Sequence, residues 1–158
     1  MKSEIVSQLQ RYGWPQVVRL GLVPRSVCGV DLVDEHQQLL GWTDGGALQL
    51  GPSPLSLLEL FSVEELEVEF RSLERWMSNV IPVGSEGGDR LYVYDVRATS
   101  RGQVLSLSRG DLGWDGDSIR VLGASLAEAV EVLASIGSDV DDPDEVGVPL
   151  ERPSMREG

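Results

Sequence analysis

Residues 81–96 read IPVGSEGGDRLYVYDV, a segment that predicts two strands of a β-sheet and the loop between them. Residues 91–96 are rich in β-forming types and are apolar on both faces, a pattern typical of a central strand. Residues 79–83 predict a neighbouring strand. The acidic, glycine-rich residues 84–89 predict the loop that joins the two strands. We therefore expect a β-sheet at the centre of the molecule.

Helical patterns lie on both sides of this stretch, and further short strands accompany them. Helices are predicted after Ser3, over residues 15–21, over residues 33–43, after the capping box of Ser62 with Glu65, and after the capping box of Ser125 with Glu128. Strands are predicted over residues 47–50, 57–61, 103–108 and 119–122. The order predicts an α+β domain with helices packed on an antiparallel or mixed β-sheet.

The chain has 158 residues, the size of one ordinary domain. Residues 1–136 carry the periodic patterning and are expected to form that domain. Residues 137–158 carry seven acidic and two basic side chains together with three prolines. They predict an acidic C-terminal tail that is extended and mostly solvated.

Membrane and secreted classes are not favoured by the sequence. No apolar run approaches the roughly 18–20 residues that a membrane span needs. Glu4 and Gln8 interrupt the apolar residues of the N-terminus, so no signal peptide is expected. We expect a cytoplasmic protein.

Charge indicates the kind of partner. The chain has 26 acidic and 13 basic residues and a formal net charge of −13. Such a chain is repelled by nucleic acid and by anionic lipid, so neither is expected as a partner. Its electrostatic attraction is to a basic molecule, although acidity also serves solubility alone.

Cysteine and histidine are too few for the usual redox and zinc chemistry. Cys28 is the only cysteine and His36 the only histidine, so neither an intramolecular disulfide nor a Cys/His zinc site can form. Cys28 has no nucleophile motif around it and is expected to be a small buried residue. His36 lies on the apolar side of a predicted helix, where a partly buried histidine is commoner than a catalytic base.

The acidic and glycine-rich loops suggest catalytic or metal sites, but each pattern is incomplete. Residues 111–117 lack the distal Glu of a calcium loop of the EF-hand type. Residues 84–88 lack the Lys and Ser/Thr of a phosphate-binding loop, and their own acids would repel phosphate. No catalytic residue, metal or cofactor is predicted.

Trp114 lies in the middle of an acidic loop, DLGWDGD, residues 111–117. An aromatic residue surrounded by acids and glycines is typical of an interaction hot spot with an electrostatic rim. The alternative is that the indole folds back onto the sheet.

Several stretches in the same order resemble the SMI1/KNR4 family, also called the SUKH superfamily. Residues 29–46, GVDLVDEHQQLLGWTDGG, are similar to its opening helix, and residues 57–66 to its Leu-rich strand and Glu-Glu-Leu helix start. Residues 81–95 match its most specific piece, an apolar-Pro-apolar-Gly stretch and an acidic glycine turn before an aromatic strand. Residues 104–107 resemble its next strand, and residues 124–133 its closing helix.

The resemblance implies an α+β fold without catalytic residues. Many bacterial members resemble immunity proteins that bind and neutralise a toxin, often a nuclease or a deaminase, whereas fungal relatives act as regulatory scaffolds. Val33 departs from the family's usual proline, and the closing-helix aromatics are absent.

The sequence therefore predicts a non-catalytic protein-binding module, foremost an immunity protein against a basic toxin. A regulatory or scaffold protein that binds a peptide is the alternative, and a hydrolase that uses only carboxylates is a third class. Protein binding is expected at two loops, through Glu86, Asp89, Asp111, Trp114, Asp115 and Asp117. The acids would steer the partner and pair with its Arg or Lys, and Trp114 would be the anchor.

Overall fold

The computed structural model describes residues 3–19 and 21–150. Four α-helices are found in that part of the chain: α1 (Glu4–Arg11), α2 (Asp34–Trp42), α3 (Val63–Leu73) and α4 (Leu126–Ala134). The strands are β1 (Ser26–Val27), β2 (Val30–Asp31), β3 (Gly46–Gln49), β4 (Leu57–Leu60), β5 (Val80–Ser85), β6 (Arg90–Asp95), β7 (Val104–Ser108), β8 (Arg120–Gly123) and β9 (Val148–Pro149). Short 3-10 turns occupy Pro54–Ser56 and Pro143–Glu145.

β3 to β9 form one antiparallel sheet in which the strands lie side by side in chain order. β6 is the middle strand, and all six of its residues are buried. The prediction of a central strand covered on both faces is confirmed. The fold is α+β, as the order of the elements predicts.

Side chains alternate across β6 into two separate cores. Tyr92 and Tyr94 face a core built with α1, α2 and α4, while Leu91 and Val93 face a core built with α3 and β1. Because successive residues of a strand point to opposite faces, this alternation places helices on both sides of the sheet.

The helix starts predicted at Ser62 and Ser125 are confirmed by their caps. The Ser62 hydroxyl accepts a hydrogen bond from the Glu65 N–H (3.2 Å), and the Glu65 carboxylate accepts one from the Ser62 N–H (2.9 Å). The Ser125 hydroxyl accepts from the Glu128 N–H (3.2 Å). The Glu128 carboxylate accepts from the N–H of Ala124, one residue before the cap (3.0 Å).

The prediction of a short helix over residues 15–21 is wrong. Residues 14–19 have no regular structure, and residue 20 lies outside the described part of the chain. The Val17 N–H donates to the Thr43 hydroxyl (2.9 Å), and the Val17 carbonyl accepts from the Asp44 N–H (2.8 Å). These long-range bonds attach the segment to the end of α2, and they use the Val17 carbonyl, which a helix over these residues would bond to the N–H of residue 21.

Cys28 is exposed, so its predicted burial is wrong. It occupies the two-residue turn between β1 and β2, with φ +49°, followed by Gly29 with φ +85°. A tight turn of this kind needs two consecutive left-handed residues, and these residues lie at the surface.

The described part of the acidic segment, residues 137–150, contributes the last strand of the sheet. Most of its side chains are exposed, as expected. Val146 is buried, however, and β9 pairs with β8 through the register Val121 to Val148. Residues 151–158 lie outside the described residues.

No helix within residues 3–19 and 21–150 is long and apolar enough to cross a membrane.

Candidate functional site

The first predicted binding loop is the tight turn between β5 and β6. The Arg90 N–H donates to the Glu86 carboxylate (3.2 Å), and the Gly87 N–H donates to the Ser85 hydroxyl (3.1 Å). Gly87 has φ +93°, a conformation that side-chain-bearing residues rarely adopt. Glu86 is half-buried and Asp89 is exposed, so the two predicted acids lie at the tip of the hairpin.

The structure brings this turn against the second predicted loop, which joins β7 to β8. The Ser108 hydroxyl donates to the Asp89 carboxylate (2.7 Å). The Arg109 N–H donates to the Asp89 carbonyl (2.9 Å), and the Arg109 guanidinium donates to the Gly88 carbonyl (3.2 Å). The hairpin turn and the first residues of the second loop are therefore neighbours at one end of the sheet.

The acids of the second loop differ in their environment. Asp111 is half-buried, and its carboxylate accepts a hydrogen bond from the Ser118 N–H across the loop (3.1 Å). Asp115 and Asp117 are exposed, and within the described residues their carboxylates have no hydrogen bond or ion pair. Asp111 thus orders the loop, while the other two present free negative charge.

Trp114 lies away from the hairpin tip, near the opposite end of β6. Its indole N–H donates to the Ser78 carbonyl (2.7 Å), and its ring packs partly against the core below α3. The Arg97 guanidinium carbon lies 3.8 Å from the ring centre. Of the two predicted alternatives, the described structure has the indole folded back, beside a cation.

Arg90 is a buried charged residue that no pattern in the sequence singles out. Arg90 is only 3% exposed, and its guanidinium donates to the Ser106 hydroxyl (3.0 Å), the Ser118 carbonyl (2.9 Å) and the Asp144 carboxylate (3.0 Å). These partners lie 16, 28 and 54 residues along the chain. No local sequence pattern connects them.

Arg90 lies beside Tyr92 and a cavity of about 10 Å³. Burial, and next the Glu86 carboxylate, raise the pKa of the Tyr92 hydroxyl, which therefore stays protonated. A cavity of that volume is at the limit for one water molecule. The cluster fastens β6 to its neighbours and offers no room for a substrate.

Glu35 forms a second buried junction, between α2, α4 and β6. Its carboxylate accepts from the Tyr94 hydroxyl (2.7 Å) and from the backbone N–H groups of Leu126 (2.6 Å) and Ala127 (3.1 Å). An acid at this position satisfies the free N–H groups of the first turn of α4. Burial and the Glu35 charge raise the pKa of Tyr94 well above its ordinary range.

His36 is buried against Tyr94, with their ring centres 5.1 Å apart. Burial lowers the pKa of His36 to about 3, so the imidazole is neutral at physiological pH. Its Nδ1 has no hydrogen-bond partner among the described residues. Because His36 is buried and Cys28 is exposed on its hairpin, the two do not form a catalytic pair open to a substrate.

Within residues 3–19 and 21–150 no three or more His, Cys, Asp or Glu side chains are grouped so that they could hold a metal ion. The acidic residues 111–117 are therefore a loop with exposed charge and no clustered ligand set. No protein-family model matches the chain, and no curated protein is significantly similar to it.

Proposed function

We propose that this protein is a non-catalytic binding protein that docks on a basic protein surface, and that it acts as an immunity protein. Its partner would be a toxin of the nuclease or deaminase type. One observation carries the proposal: two neighbouring acidic loops whose carboxylates have no cationic partner among the described residues.

The carboxylates of these loops are held in place without being neutralised. Asp89 accepts from a serine hydroxyl and Asp111 from a backbone N–H, so both are ordered yet keep their charge. A surface ordered in advance loses less conformational entropy when it binds. Asp115 and Asp117 are exposed farther along the second loop and add negative charge there.

The net charge of −13 supports a fast encounter with a basic partner. Opposite fields raise association rates by roughly 10- to 1,000-fold at low salt. Enzymes that act on nucleic acid commonly carry basic clefts. A rigid acidic protein can block such a cleft by contact alone, without chemistry of its own.

The sequence resemblance to the SMI1/KNR4 family supports the immunity role over a general binding role. The test is to co-express the protein with the product of its neighbouring gene. We expect rescue of growth together with co-purification. Co-purification without rescue would instead favour the regulatory or scaffold alternative.

Charge reversal tests the proposed surface. The double variant Asp115→Lys with Asp117→Lys should lower the association rate with the cognate toxin at least about tenfold, since steering charge is removed. The dissociation rate should change little. The loss should shrink as salt is raised, because screening weakens steering in the native protein too. Stopped-flow or surface-binding kinetics at two ionic strengths measure both rates.

The matched control reverses two exposed acids elsewhere, Glu131→Lys with Asp139→Lys. It changes the net charge equally but leaves both loops intact. If the control slows association as much as the loop variant, only the overall charge matters and the assignment of this surface is wrong.

A further inference from the structure

β3 forms one edge of the sheet, and among the described residues no strand pairs with its outer side. The segment before it is covered, because the Trp14 indole N–H donates to the Gly45 carbonyl (3.2 Å). That cover does not continue along the strand. Beyond Gly46 the outer side of β3 is open within the described residues.

The open groups can be assigned from the alternation of an antiparallel strand. The Leu50 N–H donates to the Ser56 carbonyl on the β4 side (2.9 Å). Because inward and outward groups alternate, Leu48 also directs its backbone at β4, whereas Ala47 and Gln49 direct theirs away from the sheet. No other described residue bonds to those outward groups.

A groove with acidic walls lies beside this edge. It has a volume of about 250 Å³ and is lined by residues that include Ala47, Glu59, Phe61 and Glu65. Ala47 and Glu59 are directly opposite in the β3–β4 register, so they share a face of the sheet. That face is the one that α3 covers farther along the sheet.

The groove continues as a hollow of about 160 Å³ against the exposed side of α3, where Val68 is 63% exposed. Glu64, Glu65 and Glu69 line this part. Glu69 pairs with Arg109 (2.9 Å). The other acids of the groove have no cationic partner among the described residues, so its net charge is negative.

We propose that the outer side of β3 binds an extended basic segment of another protein as an added strand. Backbone bonds would form to the outward N–H and C=O groups of Ala47 and Gln49. Side chains opposite these residues would lie on the face of Glu59, where Lys or Arg fits. The alternate side chains would lie beside Leu48 on the other face, where apolar types fit. This surface is separate from the acidic loops and goes beyond the function proposed above.

A second copy of this chain fits the edge less well than a basic segment. Pairing two β3 strands would bring together two proteins of net charge −13, each with Glu59 on the strand next to the interface. A large net charge of one sign disfavours such self-association. Charge complementarity therefore favours a cationic segment.

A capped heptapeptide of alternating lysine and valine is the probe, used with the full chain. We expect it to bind and to slow amide hydrogen exchange of Ala47 and Gln49 at least tenfold at saturation. The same peptide with alternate backbone nitrogens methylated keeps its charge but loses its donors. It should bind at least tenfold more weakly.

Glu59→Lys should weaken binding of the unmethylated peptide at least tenfold, while the matched reversal Glu131→Lys on α4 should change it less than twofold. Equal affinity of the methylated peptide, no binding at about 1 mM peptide, or no added protection at Ala47 and Gln49 would each overturn the proposal. So would protection that rises with protein concentration in the absence of peptide, since a second copy would then occupy the edge.

Discussion

A buried charged side chain lies at each end of β6, but the groups that bind the two side chains come from very different distances along the chain. At the start, Arg90 binds groups that are 16, 28 and 54 residues away. At the finish, the Asp95 carboxylate binds Arg97 and Ser100, two and five residues away. The Arg90 contacts can form only after the sheet has assembled, whereas the Asp95 contacts can form within one short loop.

The two ends also carry different parts of the predicted binding site. Glu86 and Asp89 are at the start of β6, beside Arg90. Trp114 is near its finish, stacked on Arg97. Loops predicted together from composition therefore need not present one continuous surface.

The largest effect is expected at the assembled end. Arg90→Met should lower the free energy of unfolding by about 3 kcal/mol, because the Ser106 hydroxyl and the Ser118 carbonyl lose their partner while buried. Asp144 also loses the ion that holds the segment before β9. Urea denaturation measures the loss, and faster amide exchange at Val148 would localise it.

Asp144→Asn is the control for this end. Its side chain is 46% exposed, so water replaces much of the lost ion pair and a loss of about 1 kcal/mol or less is expected. A loss at Asp144→Asn that equals the loss at Arg90→Met would contradict the comparison. The ion pair alone, and not the three-partner cluster, would then fasten this end.

A smaller effect is expected at the local end. Asp95 is fully buried, and its carboxylate accepts from the Arg97 N–H (2.9 Å), the Arg97 guanidinium and the Ser100 hydroxyl (2.6 Å). Asp95→Asn keeps the shape of the side chain but weakens these charge-assisted hydrogen bonds. The free energy of unfolding is therefore expected to fall by about 2 kcal/mol. The Arg97 side chain is 38% exposed, and its charge becomes solvated after the change.

Ser100→Ala removes one of these hydrogen bonds and should lower the free energy of unfolding by about 1 kcal/mol. Exchange protection should fall mainly in residues 96–103 in both variants, because the partners are local. Loss of exchange protection across β7 and β8 would show that Asp95 stabilises the whole sheet. That result would contradict the local role expected for this end of β6.

The same contrast explains how far the sequence could predict the molecule. Caps such as Ser62 with Glu65, and strands such as residues 91–96, depend on neighbours in the chain, so their patterns are visible in the sequence. The irregular segment at Val17 and the Arg90 cluster depend on distant partners and leave no local pattern. Both acidic loops were predicted as loops, but their contact through Asp89 required the register of β6 with β7.

The smallest effect concerns Trp114, which sits at the local end although it comes from the distant loop. Trp114→Phe keeps an aromatic ring beside Arg97 but loses the hydrogen bond to the Ser78 carbonyl, so a loss of about 1 kcal/mol is expected. Trp114→Leu also loses the cation–ring contact and should lower the free energy of unfolding by about 0.5 kcal/mol more. The fluorescence difference between the native protein and Trp114→Phe isolates the signal of this indole, and that signal should resist an added quencher.

These variants also separate the two roles that the sequence left open for Trp114. If the indole serves the fold, binding of the proposed toxin partner by folded Trp114→Phe should change less than twofold, because the acidic loop keeps its charge and its Asp111 bond. A loss of affinity greater than about tenfold at nearly native stability would instead make Trp114 a binding anchor. The finish of β6 would then belong to the same interface as its start, and the division between the two ends would hold for folding but not for recognition.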